Sequence, residues 1–205
     1  MCYATFRRRS RRSRACLDVN ASGRRATKPR PRQETTWRLL SRSTAASLRV
    51  GKALGLSLAA GDLLALYGEL GTGKTLFVRG IAAGLGAEPA GVSSPTFVLV
   101  HEYVGRLPLA HADLFRMTTP ASLDSLGLWE YADRGAVVAI EWADRAGTDL
   151  PADRLDVHMT HRGVHSRLIT MTARGAASAR LLARFAARIG RQARRRPAAR
   201  ADRKE

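Results

Sequence analysis

An α/β fold, with a mostly parallel sheet and helices on both faces, is predicted by three observations. The short apolar run Leu63-Leu64-Ala65-Leu66-Tyr67 follows the turn pair Gly61-Asp62 and reads as a buried strand. A helical pattern follows eight residues later, with Leu76, Phe77, Gly80, Ile81, Gly84 and Leu85 on one face and Gly86 where such a helix stops. A second run, Ala136-Val137-Val138-Ala139-Ile140, is apolar throughout and ends in Glu141, the pattern of a parallel strand covered on both sides.

Between the first strand and the helix lies Gly68-Glu69-Leu70-Gly71-Thr72-Gly73-Lys74-Thr75, a glycine, four residues, then Gly-Lys-Thr. Backbone amides in a tight loop donate to anionic oxygens at short range where side chains are absent, and Gly71 and Gly73 provide that bareness. Lys74 would set its ammonium on the outer phosphates of a nucleotide. The Thr75 hydroxyl would ligate a magnesium ion bridging them. Strand, loop and helix stand in the order this chemistry requires, which makes the predicted fold P-loop NTPase-like.

The 205 residues suffice for one domain plus tails, and 45% apolar content is ordinary for a globular protein. The formal charge of +18 is unevenly placed. Residues 1–36 hold 11 Lys/Arg against Asp18 and Glu34, and residues 176–205 hold 10 against Asp202 and Glu205, leaving 14 basic and 13 acidic residues between. The expected organisation is a basic disordered arm over 1–36, a P-loop ATPase domain over 37–175, and a basic tail over 176–205 with a short amphipathic helix. Cys2 and Cys16 both lie in the arm, so disulfide scaffolds and thiolate metal sites are excluded for the domain. No apolar segment reaches the roughly 18 residues a membrane span needs, and a soluble location is expected.

In chain order, Trp37-Arg38-Leu39-Leu40 reads as a short strand, and Ser41 to Ser43 open a helix to about Ser57 that buries Ala46, Val50, Ala53, Leu54 and Leu58. After the loop and its helix, Pro95 places Ser94-Pro95-Thr96 at a strand entrance or edge, since proline cannot donate to a ladder. Val98 to Tyr103 is strand-like. Gly105-Arg106 is a hairpin-like break, and Leu107 to Asp113 follows. A helical region is expected from about Pro120 through Leu128, continuing toward Asp133, with Leu123 and Leu126 inward. Leu155 to Met159 and Arg167 to Met171 read as strands paired around Gly163, and Leu181, Leu182, Phe185 and Ile189 as an apolar stripe that docks on the domain.

Two acids compete for the magnesium, because Asp113 and Glu141 each end an apolar segment. The run before Glu141 is cleaner and more β-branched, which favours Glu141 on the metal and Asp113 near the attacking water, though spacing alone leaves the reverse open. His111 reads as a structural or hydrogen-bonding partner, since one histidine makes no metal set.

Taken together, the loop followed by Phe77-Val78-Arg79-Gly80, Ser94-Pro95-Thr96-Phe97, His111-Ala112-Asp113-Leu114-Phe115-Arg116 and Ile140-Glu141-Trp142 resemble the TsaE (YjeE) family. These are small P-loop ATPases of the bacterial machinery that installs threonylcarbamoyladenosine on tRNA, and the resemblance runs from about residue 37 to 170. It implies a cytoplasmic, magnesium-dependent and partner-activated ATPase acting on a TsaB–TsaD complex, with tRNA met indirectly. It also implies that Leu70, Gly71, Thr72, Gly73, Lys74 and Thr75 cradle the phosphates of ATP, that Thr75 and Glu141 bind Mg2+, and that Asp113 and Lys74 are catalytic. Ser94 to Phe97 and Trp142 would be mobile, nucleotide-sensing elements. Ser47 stands where the family usually has threonine beside the base, and Phe115 where it mostly has tyrosine, which removes one hydroxyl. The rivals are a small-molecule kinase, for which the domain lacks an arginine-rich lid, and a tRNA-binding accessory protein acting through its arginine-rich tails. The near-neutral balance of residues 37–175 argues against RNA binding by the domain itself.

Overall fold

Leu63–Tyr67 (β2) and Val137–Glu141 (β5) are buried along nearly their whole length and lie side by side at the centre of one seven-stranded sheet. The computed structural model describes residues 35–95, 99–117 and 123–195. The other strands are β1 (Thr36–Ser41), β3 (Val100–Tyr103), β4 (Leu109–Asp113), β6 (Leu155–His161) and β7 (Arg167–Ala173), in the spatial order β1-β7-β6-β2-β5-β4-β3. Strands β6, β2, β5 and β4 are mutually parallel, and β7 and β3 run against them. Because β1 is antiparallel to β7, it runs with the central four, so five of seven strands share one direction. The sheet is mostly parallel, as the apolar runs predicted.

Side chains alternate along the central strands and feed two cores. Leu64 and Leu66 of β2 and Val137 and Ala139 of β5 point into the larger one, beneath α1 (Thr44–Gly55), α2 (Lys74–Leu85) and α4 (Ala176–Arg195). Leu63, Ala65, Val138 and Ile140 point into the other, where Leu128, Trp129 and Tyr131 of α3 (Leu128–Asp133) pack. Both faces are covered, which is why these strands carry no polar alternation. Ser43 caps α1 by accepting from the Ala46 amide at 3.1 Å, and Gly86 ends α2 at φ 80°.

Helices α1 and α2 touch through glycines. A Cβ on Gly55 would lie 2.2 Å from the Ile81 carbonyl oxygen, and one on Gly84 would lie 2.3 Å from the Lys52 carbonyl oxygen. Both obstacles are backbone atoms of the facing helix, so the close approach depends on the missing side chains.

Two elements differ from expectation. Leu123 to Gly127 is a run of turns, and Gly127 at φ 65° separates it from α3, which holds only six residues; the expected helix start near Pro120 lies outside the described residues. The C-terminal helix, expected to be short, runs for 20 residues. Its stripe docks as predicted: Leu181, Leu182 and Phe185 are buried in the main core, and Trp37 meets Phe185 edge-on with ring centroids 4.8 Å apart. Asp153 caps it, accepting from the amides of Ala177 at 2.7 Å and Ser178 at 2.9 Å. The sequence assignments for 1–34 and 196–205 lie outside the described residues. Among the described residues, no helix is long and apolar enough to cross a membrane.

Candidate functional site

The parallel strands β2, β4 and β5 end together, so whatever stands at their C-terminal ends is gathered at one edge of the sheet. Asp113 ends β4 and Glu141 ends β5, and the ladder pairs them directly. The chain leaves β2 into the loop Gly68 to Gly73, whose backbone turns through the left-handed region at Gly71 (φ 75°) and Gly73 (φ 93°). Only glycine serves at Gly68, where φ is 143° and a Cβ would lie 2.3 Å from the Met159 carbonyl oxygen of β6. Loop and acids face a cavity of about 350 Å³ lined by Gly71, Lys74, Thr75, Ser94, Asp113 and Glu141 among others.

Helix α2 starts at Lys74 with no side-chain cap. Its first-turn amides are therefore left for an anionic guest, on which the positive end of the helix dipole also bears. Lys74 is only 4% exposed, and its ammonium donates to the Gly68 carbonyl at 2.7 Å and the Glu69 carbonyl at 3.1 Å. It also stands 3.7 Å from the centroid of the Trp142 ring. Burial pulls its pKa below the usual 10.5, and the neighbouring carboxylates of Glu141, Asp113 and Asp144 oppose the shift without cancelling it.

The acids are held by short, specific contacts. Thr75 Oγ1 donates to Glu141 Oε2 at 3.0 Å, and His111 Nε2 lies 2.8 Å from Glu141 Oε1. His111 is fully buried, so the arrangement fixes the carboxylate from behind while its other oxygen meets the loop. The Ser94 hydroxyl donates to Asp113 Oδ2, and the Phe115 amide donates to Oδ1 at 2.9 Å. The Phe115 and Trp142 rings lie 5.0 Å apart on one side of the cavity, with the Arg145 guanidinium over both. Trp142 adopts φ 56°, ψ 45°, a costly conformation for a bulky residue that swings its ring back over Lys74.

Of the residues singled out in the sequence, the structure brings Leu70, Gly71, Gly73, Lys74, Thr75, Asp113 and Glu141 to this cavity. Thr72 lies beneath it, buried, with its hydroxyl donating to the Glu69 carbonyl at 2.8 Å. Ser47 is buried in α1, its hydroxyl 2.8 Å from that of Ser41, and does not line the cavity. Thr96 and Phe97 lie outside the described residues.

Arg167 is a residue that sequence reasoning missed. From the start of β7 its guanidinium donates to the carbonyls of Gly71 and Thr72, both at 3.2 Å, and to those of Gly163, Val164 and Ser166 in its own hairpin. These contacts tie the Gly71 and Thr72 carbonyls to β7, while the Thr72 amide donates to the Glu69 carbonyl at 3.3 Å. No local signal marks this arginine, because only the β6–β7 pairing brings it to the loop.

The residues present fit a magnesium nucleotide: an uncapped helix start, a buried ammonium, and a hydroxyl and two carboxylates converge on one cavity. Comparison with known proteins agrees with this geometry. Residues 41–169 match the family model described as "Threonylcarbamoyl adenosine biosynthesis protein TsaE". The chain is similar to the tRNA threonylcarbamoyladenosine biosynthesis protein TsaE of Bacillus subtilis, with 44% identity over 116 residues, 56% of this chain and 72% of that protein. It is also similar to the protein of the same name from Treponema pallidum, with 35% identity over 134 residues, 65% of this chain and 98% of that one. Among solved structures, the crystal structure of Bacillus subtilis YdiB superposes with a TM-score of 0.64 at 31% identity, covering 77% of this chain and 98% of that one.

Proposed function

The chain belongs to the TsaE family, and from that premise we propose that it binds and hydrolyses ATP with magnesium, in the service of threonylcarbamoyladenosine formation on tRNA. The observation that carries this reading is the direct pairing of Asp113 with Glu141 at the strand ends, with Thr75 hydrogen-bonded to one acid and Ser94 to the other in a single cavity.

In this reading the bare amides of the loop and of the first turn of α2 donate to phosphate oxygens. Lys74 exchanges its carbonyl partners Gly68 and Glu69 for the outer phosphates, leaving Trp142 as it does so. Thr75 and Glu141 hold Mg2+, which when bound spreads the charge of the outer phosphates. Asp113 orients the attacking water and takes up its proton, while the Ser94 hydroxyl and the Phe115 amide keep its carboxylate in place. Arg167 keeps the loop carbonyls turned away from the phosphates.

The cavity is open to solvent on one side, and an open site neither excludes water nor fixes the nucleophile. A covering partner therefore completes it. In this reading that partner is a TsaB–TsaD complex, and hydrolysis resets it between rounds of modification in the cytoplasm. The test is hydrolysis by the full chain alone and with TsaB and TsaD, beside Asp113→Asn. Stimulation by the partners that Asp113→Asn abolishes is expected. Equal turnover with and without partners would refute partner activation, and phosphoryl transfer to an added metabolite would point to a kinase.

A further inference from the structure

We propose that the outer face of α4, with the adjoining surface of α1, is a docking surface for the phosphate backbone of RNA. This surface shares no lining residue with the nucleotide cavity, and its charge comes from one helix and its neighbour. Counted along the sequence, the positive charge of residues 176–205 belongs to a tail. In the fold, Leu181, Leu182 and Phe185 are buried in the main core, so the arginines of α4 belong to the surface of the domain.

Arg180, Arg184, Arg188, Arg191 and Arg194 follow one another every three or four residues along α4 and form a stripe about 21 Å long. Helix α1 adds Arg49 and Lys52, both exposed. The two groups meet at Leu56. A groove of about 870 Å³ contains Arg49, Lys52, Leu56 and Gln192, and a neighbouring one of about 540 Å³ contains Leu56, Arg184, Arg188 and Arg191. Neither α1 nor α4 contains an aspartate or glutamate. The carboxylates near this face are Asp62, which accepts from Arg184 at 3.2 Å, and the cap Asp153, which acts on Arg180.

Apart from Arg180, which faces Asp153, the arginines fall into two groups. Arg184 donates to the Ser57 carbonyl at 2.9 Å and Arg188 to the Leu56 carbonyl at 3.1 Å, so these two close the C-terminal end of α1. Arg49, Arg191 and Arg194 engage no carboxylate among the described residues, and all three are exposed. Structure accounts for the first group and leaves the second as unneutralised charge.

The occupant follows from the chemistry of the face. An interfacial helix needs an apolar side to sink into lipid, and the apolar side of α4 is already buried in the core. All the cationic residues of α4 are arginines, whose planar fork matches phosphate oxygens two at a time. Extended charge of one sign, met by carboxylates only at Arg180 and Arg184 among the described residues, suits a polyanion with regularly spaced phosphates. The face lies near Leu56 and Asp62, at the N-terminal end of β2, whereas the nucleotide loop leaves its C-terminal end, so both sites can be filled at once.

The test uses the full chain and a fluorescently labelled, unmodified tRNA transcript, with anisotropy read at several salt concentrations. The variants are Arg49→Gln/Arg191→Gln/Arg194→Gln and the same three positions changed to lysine. We expect the glutamine variant to bind about tenfold or more weakly near 0.1 M salt, and its log–log salt slope to fall by about 2 to 3, close to 0.7–0.9 per lost phosphate contact. The lysine variant keeps the charge but not the fork, so it should keep most of the wild-type salt slope while binding between wild type and the glutamine variant, and both variants should keep the wild-type melting curve. Unchanged affinity and slope in the glutamine variant would overturn the proposal and leave any RNA binding to residues 1–34 and 196–205. Binding to phosphatidylglycerol vesicles without binding to the transcript would overturn it in favour of a lipid surface.

Discussion

Replacing Gly84 by alanine should destabilise the protein, although the same change in most helices stabilises. Alanine gains about 1 kcal/mol over glycine in a helix interior. Against this, the new Cβ would lie 2.3 Å from the Lys52 carbonyl oxygen and 2.8 Å from Gly55 Cα, both on α1. Ordinary contact begins near 3.4 Å, so the helices must part by roughly 1 Å. No side chain can rotate away, because the obstacles are backbone. Overpacking of this kind costs about 1–3 kcal/mol and more where nothing yields, so with only backbone in the way the cost lies at about 2–3 kcal/mol and the net loss is about 1–2 kcal/mol. For a domain of this size that lowers Tm by about 2–8 °C. Gly190→Ala is the control: it sits in α4, where an added Cβ meets nothing within 4 Å, and should raise Tm by up to about 4 °C. Calorimetric melting of the two variants reads the difference directly. If Gly84→Ala raised Tm as Gly190→Ala does, α1 and α2 would not meet through this glycine seam.

Three further outcomes follow from the site and the caps. Arg167→Ala should weaken ATP binding about tenfold by titration calorimetry while leaving hydrolysis at saturating ATP nearly intact, and lysine should not restore affinity because it cannot reach both loop carbonyls as a fork. Adding ATP should change tryptophan emission as Lys74 leaves the Trp142 ring, and Trp142→Phe should abolish the change although Trp37 and Trp129 remain; no change in wild type would show that Lys74 stays in place, and a change that persists in Trp142→Phe would trace it to another tryptophan. Burial would raise the Asp153 carboxyl, but the Ser178 and Ala177 amides, the Ser178 hydroxyl and the charge of Arg180 outweigh it and hold its pKa below 3.8. A carboxylate depressed in the folded state stabilises above its unfolded pKa and loses that contribution as pH falls through the folded value. Asp153→Asn should therefore be less stable than wild type at neutral pH, and urea melts of the two proteins should converge as pH falls through the folded carboxyl's depressed pKa.

The centre of the fold was legible because its signals are local. An apolar run must be covered on both faces, and glycines with a lysine and a threonine at fixed spacing leave few alternatives, so β2, the loop and α2 stand where the pattern put them. The neighbouring acids Asp113 and Glu141 could be named, but their pairing could not, because it arises from β4 and β5 lying side by side. Arg167 was invisible for the same reason, lying 92 residues past the Gly-Lys-Thr it serves and marked by nothing around it. Ser47 was placed by likeness to a family position, and its hydroxyl lies 2.8 Å from that of Ser41 inside the domain. The stripe of α4 was readable, but the charge count cut the chain at residue 175 and so assigned to a tail arginines that the fold keeps on the domain.

In the proposed mechanism the loop and the acid at the end of β5 together hold a magnesium nucleotide. Titration calorimetry of ATP into the full chain, with Mg2+ and with EDTA, tests it most directly when run beside Lys74→Ala and Glu141→Gln. Wild type should bind more tightly with magnesium. Glu141→Gln, which keeps the side chain's shape and removes its charge, should bind equally in both conditions. Lys74→Ala should lose most affinity in either condition. Magnesium-dependent binding that survives Glu141→Gln, or affinity that survives Lys74→Ala, would contradict the account.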